Sequence, residues 1–104
     1  MSNYRIEKWS ELYPPQSAMM RLILTQQGHR VYQWCDQPEK IYAKHQHSED
    51  QTHWIISGTL EITIERVGVF VLEAGDRDFM PANTYHSVRV ISEVPVMYLV
   101  GEKI

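Results

Sequence analysis

Along residues 59–65, TLEITIE, polar and apolar side chains alternate without a break, with Leu60, Ile62 and Ile64 on one face and Thr59, Glu61, Thr63 and Glu65 on the other. That is the period of a strand with one buried face. Further β-rich runs follow at 20–26 (MRLILTQ), 30–34 (RVYQW), 41–45 (IYAKH), 53–57 (HWIIS), 69–72 (VFVL), 78–81 (DFMP), 86–91 (HSVRVI) and 96–100 (VMYLV). Short turn-forming segments separate them: QQG, DQPE, HSED, RVG, EAGD, PANT and SEVP. Many short strands with regular turns describe an all-β sandwich or barrel. No segment reads as a helix of three turns, and WSELY (9–13) is expected to form at most a single turn. The chain has no internal repeat, low-complexity tract or linker.

Composition narrows the function classes. A chain of 104 residues forms one domain, 1–104, and is long enough to bury a continuous core. The net charge is −3 and the ten basic residues are scattered singly, so no stripe exists for a phosphate backbone or an anionic membrane surface. Neither nucleic acid nor membrane is expected as a partner. The first residues, MSNYRIEKWSEL, have no basic segment followed by an apolar run, and no stretch approaches membrane-spanning length; a cytoplasmic location is expected. The single cysteine, Cys35, excludes an intrachain disulfide and any cysteine-based zinc motif. Nothing near it in sequence would depress its pKa, so it is a poor nucleophile.

Chemistry concentrates in HQHSEDQTHWIISG, residues 45–58, which holds three of the five histidines. His45 and His47 are two apart, so in a strand both imidazoles point to one side, where they could share one ion. Alone the signal is weak, because five histidines placed at random in such a chain produce an H-x-H roughly a quarter of the time. A second stretch, GDRDFMPANTYH at 75–86, adds Gly75 and Asp76 in a turn, a short strand ending at Pro81, Asn83 suited to a left-handed turn, and His86 opening the next strand.

Together the two stretches resemble the paired motifs of the cupin family, G-x5-H-x-H-x3,4-E-x6-G and G-x5-P-x-G-x2-H-x3-N. His45, His47, position 51 and Gly58 match the first spacing (motif one, 39–58); Gly75, Pro81, position 83 and His86 match the second (motif two, 75–90). The chain departs from the pattern at Glu39, Asn83 and Val90, where the family has glycine, glycine and asparagine. It also has Gln51 where the family usually has a ligating glutamate. A glutamine can coordinate through its amide oxygen, but it is neutral and carries no proton to exchange.

The resemblance implies a small jelly-roll β-barrel, the double-stranded β-helix, holding one divalent transition metal per chain on His45, His47, Gln51 and His86. No anionic ligand is present, so magnesium and calcium are disfavoured, and iron, manganese, cobalt, nickel, copper and zinc are not distinguished. His53 follows Gln51 on the same face. It is either a hydrogen-bonded core histidine, a substrate-contacting catalytic group, or a ligand in place of Gln51. Asp78 is either a surface charge or a buried partner of a histidine. Ile41 and Ala43 are expected on the face of His45, and His29 is expected in a solvent-exposed turn. The implied activity is that of an oxygenase acting on a small anionic or enol-type metabolite. A non-redox isomerase or epimerase with His53 as base, and a non-catalytic ligand-binding protein, are the competing readings. Cupins of this size commonly form homodimers, and the many large apolar residues agree with a buried subunit interface.

Overall fold

The computed structural model describes residues 3–104. Among these described residues, nine strands and one helix follow in the order β1 (Arg5–Glu7), α1 (Ser17–Gln26), β2 (His29–Asp36), β3 (Ile41–His45), β4 (Gln51–Ser57), β5 (Leu60–Ile64), β6 (Gly68–Leu72), β7 (Arg77–Phe79), β8 (His86–Val90) and β9 (Val96–Lys103). They form two antiparallel sheets, β1-β7-β4-β9-β2 and β3-β8-β5-β6. This is the all-β arrangement expected from the alternating pattern, in the jelly-roll form that the cupin resemblance implies. On β5 the three apolar residues are buried as the period requires, and they meet Ile55, Leu72, Val88, Val90, Val96 and Tyr98 in one core.

Two backbone features confirm how the motifs fold. Glu39 and Asn83, which replace glycines of the family pattern, both adopt left-handed conformations, with φ of 71° and 63°. Asn83 then donates its backbone N–H to the carbonyl of His47 (2.7 Å), joining the two motifs.

The expected strand over 20–26 is instead a helix, Ser17–Gln26. Met20 and Leu24, one turn apart, are both fully buried against Trp54 and Leu99 on the outer face of β4 and β9. Each such burial stabilises by roughly 1.5–3 kcal/mol. Pro14 and Pro15 precede the helix, and Gly28, at φ 88°, ends it. Residues 9–13 form no helical turn; they carry only a bend at Leu12 and Tyr13. The alternation along β3 is also different from that expected. A register shift between Tyr42 and His45 leaves Ile41 and Ala43 exposed and brings Tyr42 to the side of His45. A bulge of this kind inserts a residue and reverses the faces beyond it. His29 is not in an exposed turn: it opens β2, half-buried, with ring Nδ1 3.2 Å from the Leu24 carbonyl.

Candidate functional site

Strand pairing brings the two motifs together. His45 ends β3 and lies opposite His86, the first residue of β8; His47 follows in the loop held by Asn83. The three rings have centroids 4.2–5.2 Å apart, and one ring nitrogen from each lies within 4.8 Å of the others. His45 Nδ1 is 2.7 Å from the Ala43 carbonyl and His86 Nδ1 is 2.8 Å from that of Thr84. A carbonyl only accepts, so these contacts place the proton on Nδ1 and leave the Nε2 lone pair free. Burial, reinforced by the neighbouring imidazoles, pushes the His86 pKa down to about 4 despite the Thr84 bond. Burial and the rings of His45 and His53 lower that of His47 as well. Three ring nitrogens gathered this closely could hold a borderline transition ion.

Gln51 is tied to β7's extension by reciprocal backbone bonds with Met80, 2.9 and 2.8 Å. Its side chain is buried, lines the same cavity as the histidines and has no hydrogen-bond partner among the described residues.

His53, two residues on, also lines the cavity. Its Nδ1 lies 3.0 and 3.1 Å from the two carboxylate oxygens of Asp78. Asp78 is wholly buried, and it also accepts from the His53 backbone N–H (2.7 Å) and from the Tyr4 hydroxyl (2.8 Å). Of the two readings open for Asp78, the buried histidine partner is the one observed. Burial alone would lower the His53 pKa; the charge and hydrogen bond of Asp78 outweigh it, and the net shift is upward. Since Asp78 takes Nδ1–H, Nε2 is the ring atom left to the cavity.

The cavity has a volume of about 280 Å³. Its lining includes Tyr42 and Tyr98, whose hydroxyls both donate to buried Asp36, at 2.7 and 2.6 Å. Burial and the Asp36 carboxylate raise the Tyr42 pKa to about 12 and that of Tyr98 further, so both hydroxyls keep their protons. Sequence reasoning missed this Tyr–Asp–Tyr cluster, and Tyr4 as well. Asp36 opens the DQPE turn, Tyr42 follows it and Tyr98 alternates with Val96 and Val100, but only the β2–β9 pairing and the packing of β3 from the other sheet bring them together. Cys35 is exposed and does not line the cavity.

Residues 32–101 match the Cupin domain family. No curated protein shows significant sequence similarity to the chain. Among solved structures, a DMSP lyase superposes with a TM-score of 0.67 at 26% identity, over 75% of this chain and 40% of that one. An uncharacterised conserved protein with a double-stranded β-helix domain from Klebsiella pneumoniae gives 0.64 at 25% identity, covering 73% of this chain and 67% of that one. The oxalate decarboxylase of Lactobacillus farciminis, as its formate complex, gives 0.65 at 18% identity, covering 73% of this chain and 24% of that one, and is similar in fold. The chain thus covers 40% of the DMSP lyase chain and 24% of the decarboxylase chain. No helix among the described residues is long and apolar enough to cross a membrane.

Proposed function

This chain belongs to the cupin family, and from that premise we propose that it is a metal-dependent enzyme that moves a proton on a small carboxylate or enol-forming metabolite. His45, His47 and His86 serve as ligands, Gln51 as a fourth donor and His53 as the proton carrier. The observation that carries this reading is the buried Asp78 carboxylate on Nδ1 of His53. A bound divalent transition ion, whether iron, manganese, cobalt, nickel, copper or zinc, supplies a positive charge that polarises a substrate oxygen.

The remaining work falls to the chain. Asp78 fixes the His53 tautomer, so that Nε2 presents a lone pair to the substrate, and it stabilises the imidazolium formed when that nitrogen takes a proton. Tyr42 and Tyr98, their hydroxyls engaged by Asp36, are part of the cavity lining. Val88 and Val100 line the same cavity and limit the water within it. A pair of this kind suits an isomerase, epimerase or lyase.

The oxygenase reading rests on a different observation: none of the four proposed donors is anionic, so an ion held by them would keep its full charge, which suits binding of an anionic substrate. One experiment separates the two. Metal-loaded protein is incubated in deuterium oxide with small 2-oxo and 3-substituted carboxylates, with carbon-bound deuterium followed by NMR and oxygen uptake recorded in parallel. Metal-dependent deuterium incorporation that is lost in His53→Ala is expected. Oxygen uptake with no incorporation overturns proton transfer in favour of the oxygenase.

The proposed assembly is a cytoplasmic homodimer. Val69 and Val71, exposed on the edge strand β6, support self-association.

A further inference from the structure

The cavity is chemically divided along its depth. Its floor is buried: Gln51, His53, His86 and Tyr98. The rest of its lining is exposed or half-exposed apart from Val88 and Val100: Tyr32 and Trp34 on β2, Glu49 and Glu102 form a rim beside the half-exposed Tyr42, His45 and His47, and among the described residues no lysine or arginine lines any part of it. Strand register explains the grouping. Tyr32 lies opposite Val100 and Trp34 opposite Tyr98, which continues the cavity-facing side of β9 onto the edge strand. Glu102 lies opposite Gln51 on β4.

Among the described residues neither rim glutamate is in an ion pair. Glu49 accepts a hydrogen bond from Ser48, and its charge is felt at His47. Arg30, opposite Glu102 across the β2–β9 pair, makes no ion pair with it and does not line the cavity. Two further groups point to a ligand inside. The Gln51 amide and His53 Nε2 belong to residues each 7% exposed, both line the cavity, and neither has a hydrogen-bond partner among the described residues.

We propose that the substrate class is a small zwitterion, its carboxylate or enolate directed to the histidine floor and a cationic alkylammonium-type group received at the rim by Tyr32, Trp34, Glu49 and Glu102. This inference rests on the metal-site reading above and refines it. To reach the floor a simple anion would have to pass two carboxylates that are in no ion pair among the described residues, whereas a ligand with a cationic end is drawn to them. The aromatic faces of Trp34 and Tyr32 attract a poorly hydrated cation through their ring quadrupoles. The two carboxylates supply the complementary charge without requiring a directed hydrogen bond. A volume of about 280 Å³ accommodates such a molecule.

The test uses matched pairs of probes and zinc-loaded protein. Trimethylammonio carboxylates with one, two or three methylenes between nitrogen and carboxylate are titrated calorimetrically beside their tert-butyl carbon isosteres. The members of each pair share shape and carboxylate and differ only in the cationic charge. At the best spacing the ammonium compound is expected to bind at least tenfold more tightly. Glu102→Gln and Trp34→Leu, both at exposed or half-exposed positions, should each shrink that preference. If no spacing favours the cation over its isostere while both bind in a zinc-dependent way, the zwitterion inference falls and the metal-site reading stands. If the protein takes up no zinc, both fall.

Discussion

Asp78 lies beneath His53 with one carboxylate oxygen 2.7 Å from the residue's backbone nitrogen and 3.0 Å from its ring Nδ1. A single buried group thereby fixes both the position of the main chain and the tautomer of the side chain. Asp78→Asn keeps the volume but removes the charge that holds His53 upward in pKa. The variant is expected to lose about 2–4 kcal/mol of stability, because the Tyr4 hydroxyl and two His53 donors converge on this carboxylate. Turnover should fall at least about 100-fold while metal content is unchanged. Chemical denaturation, metal analysis and a pH–rate profile separate the two effects; an unchanged profile would mean that the pair only supports the fold.

Gln51 tests the charge of the metal shell. Gln51→Glu places an anion where the family usually has one, and metal should bind more tightly. A carboxylate ligand should bind more weakly, because one unit charge about 4 Å away is worth about 4 kcal/mol at an effective dielectric constant of 20, before solvent responds. Two titrations check this, metal into apo-protein and acetate into the metal-loaded form. If neither affinity moves, Gln51 does not coordinate.

Acidification of the apo-protein should weaken the fold through His86. Burial holds its pKa near 4 against an ordinary value of 6.5, so between these limits the unfolded chain takes up a proton that the folded chain does not. Stability contributed by neutral His86 is present above pH 6.5 and is lost as pH falls towards 4, on the order of 3 kcal/mol. His53 has the opposite sign: its raised pKa contributes stability that is present below 6.5 and lost as pH rises through the folded value. Ring NMR of apo-protein reads each histidine separately. A His86 ring that titrates near 6.5 would contradict the buried, neutral site.

How much of this was legible beforehand follows from the range of each interaction. The alternation of Leu60, Ile62 and Ile64 is local, and it specified a half-buried strand that the structure contains. The spacing of His45 and His47 is local too. Met20 and Leu24 are ambiguous, since MRLILTQ carries apolar residues at 20, 22, 23 and 24, a set that suits a buried strand as well as a helix. The helical period shows only once Trp54 and Leu99 select those two residues for burial. The bulge after Tyr42 leaves no mark in the residue types. The His53–Asp78 and Tyr98–Asp36 contacts join residues 25 and 62 positions apart, and no local pattern encodes such pairings.

Gly75 offers a check on the fold independent of the chemistry. Its φ is 88°, and a Cβ there would overlap the ring of Trp9. Gly75→Ala should destabilise by about 2–4 kcal/mol, since left-handed strain and overpacking add. The histidine cluster lies on other elements, so metal uptake below the melting temperature should persist. Thermal unfolding with and without zinc measures both; a neutral Gly75→Ala would show that Trp9 does not pack there.

The most direct measurement is a cobalt(II) titration of apo-protein followed by visible absorption, with stoichiometry by metal analysis, in the parent and in His45→Ala, His47→Ala and His86→Ala. One ion per chain is expected in the parent, with d–d bands showing nitrogen ligation. Each alanine variant should stay folded and lose at least about 100-fold in affinity. Binding that is absent in the parent, or equal in parent and variants, would contradict a metal centre on His45, His47 and His86.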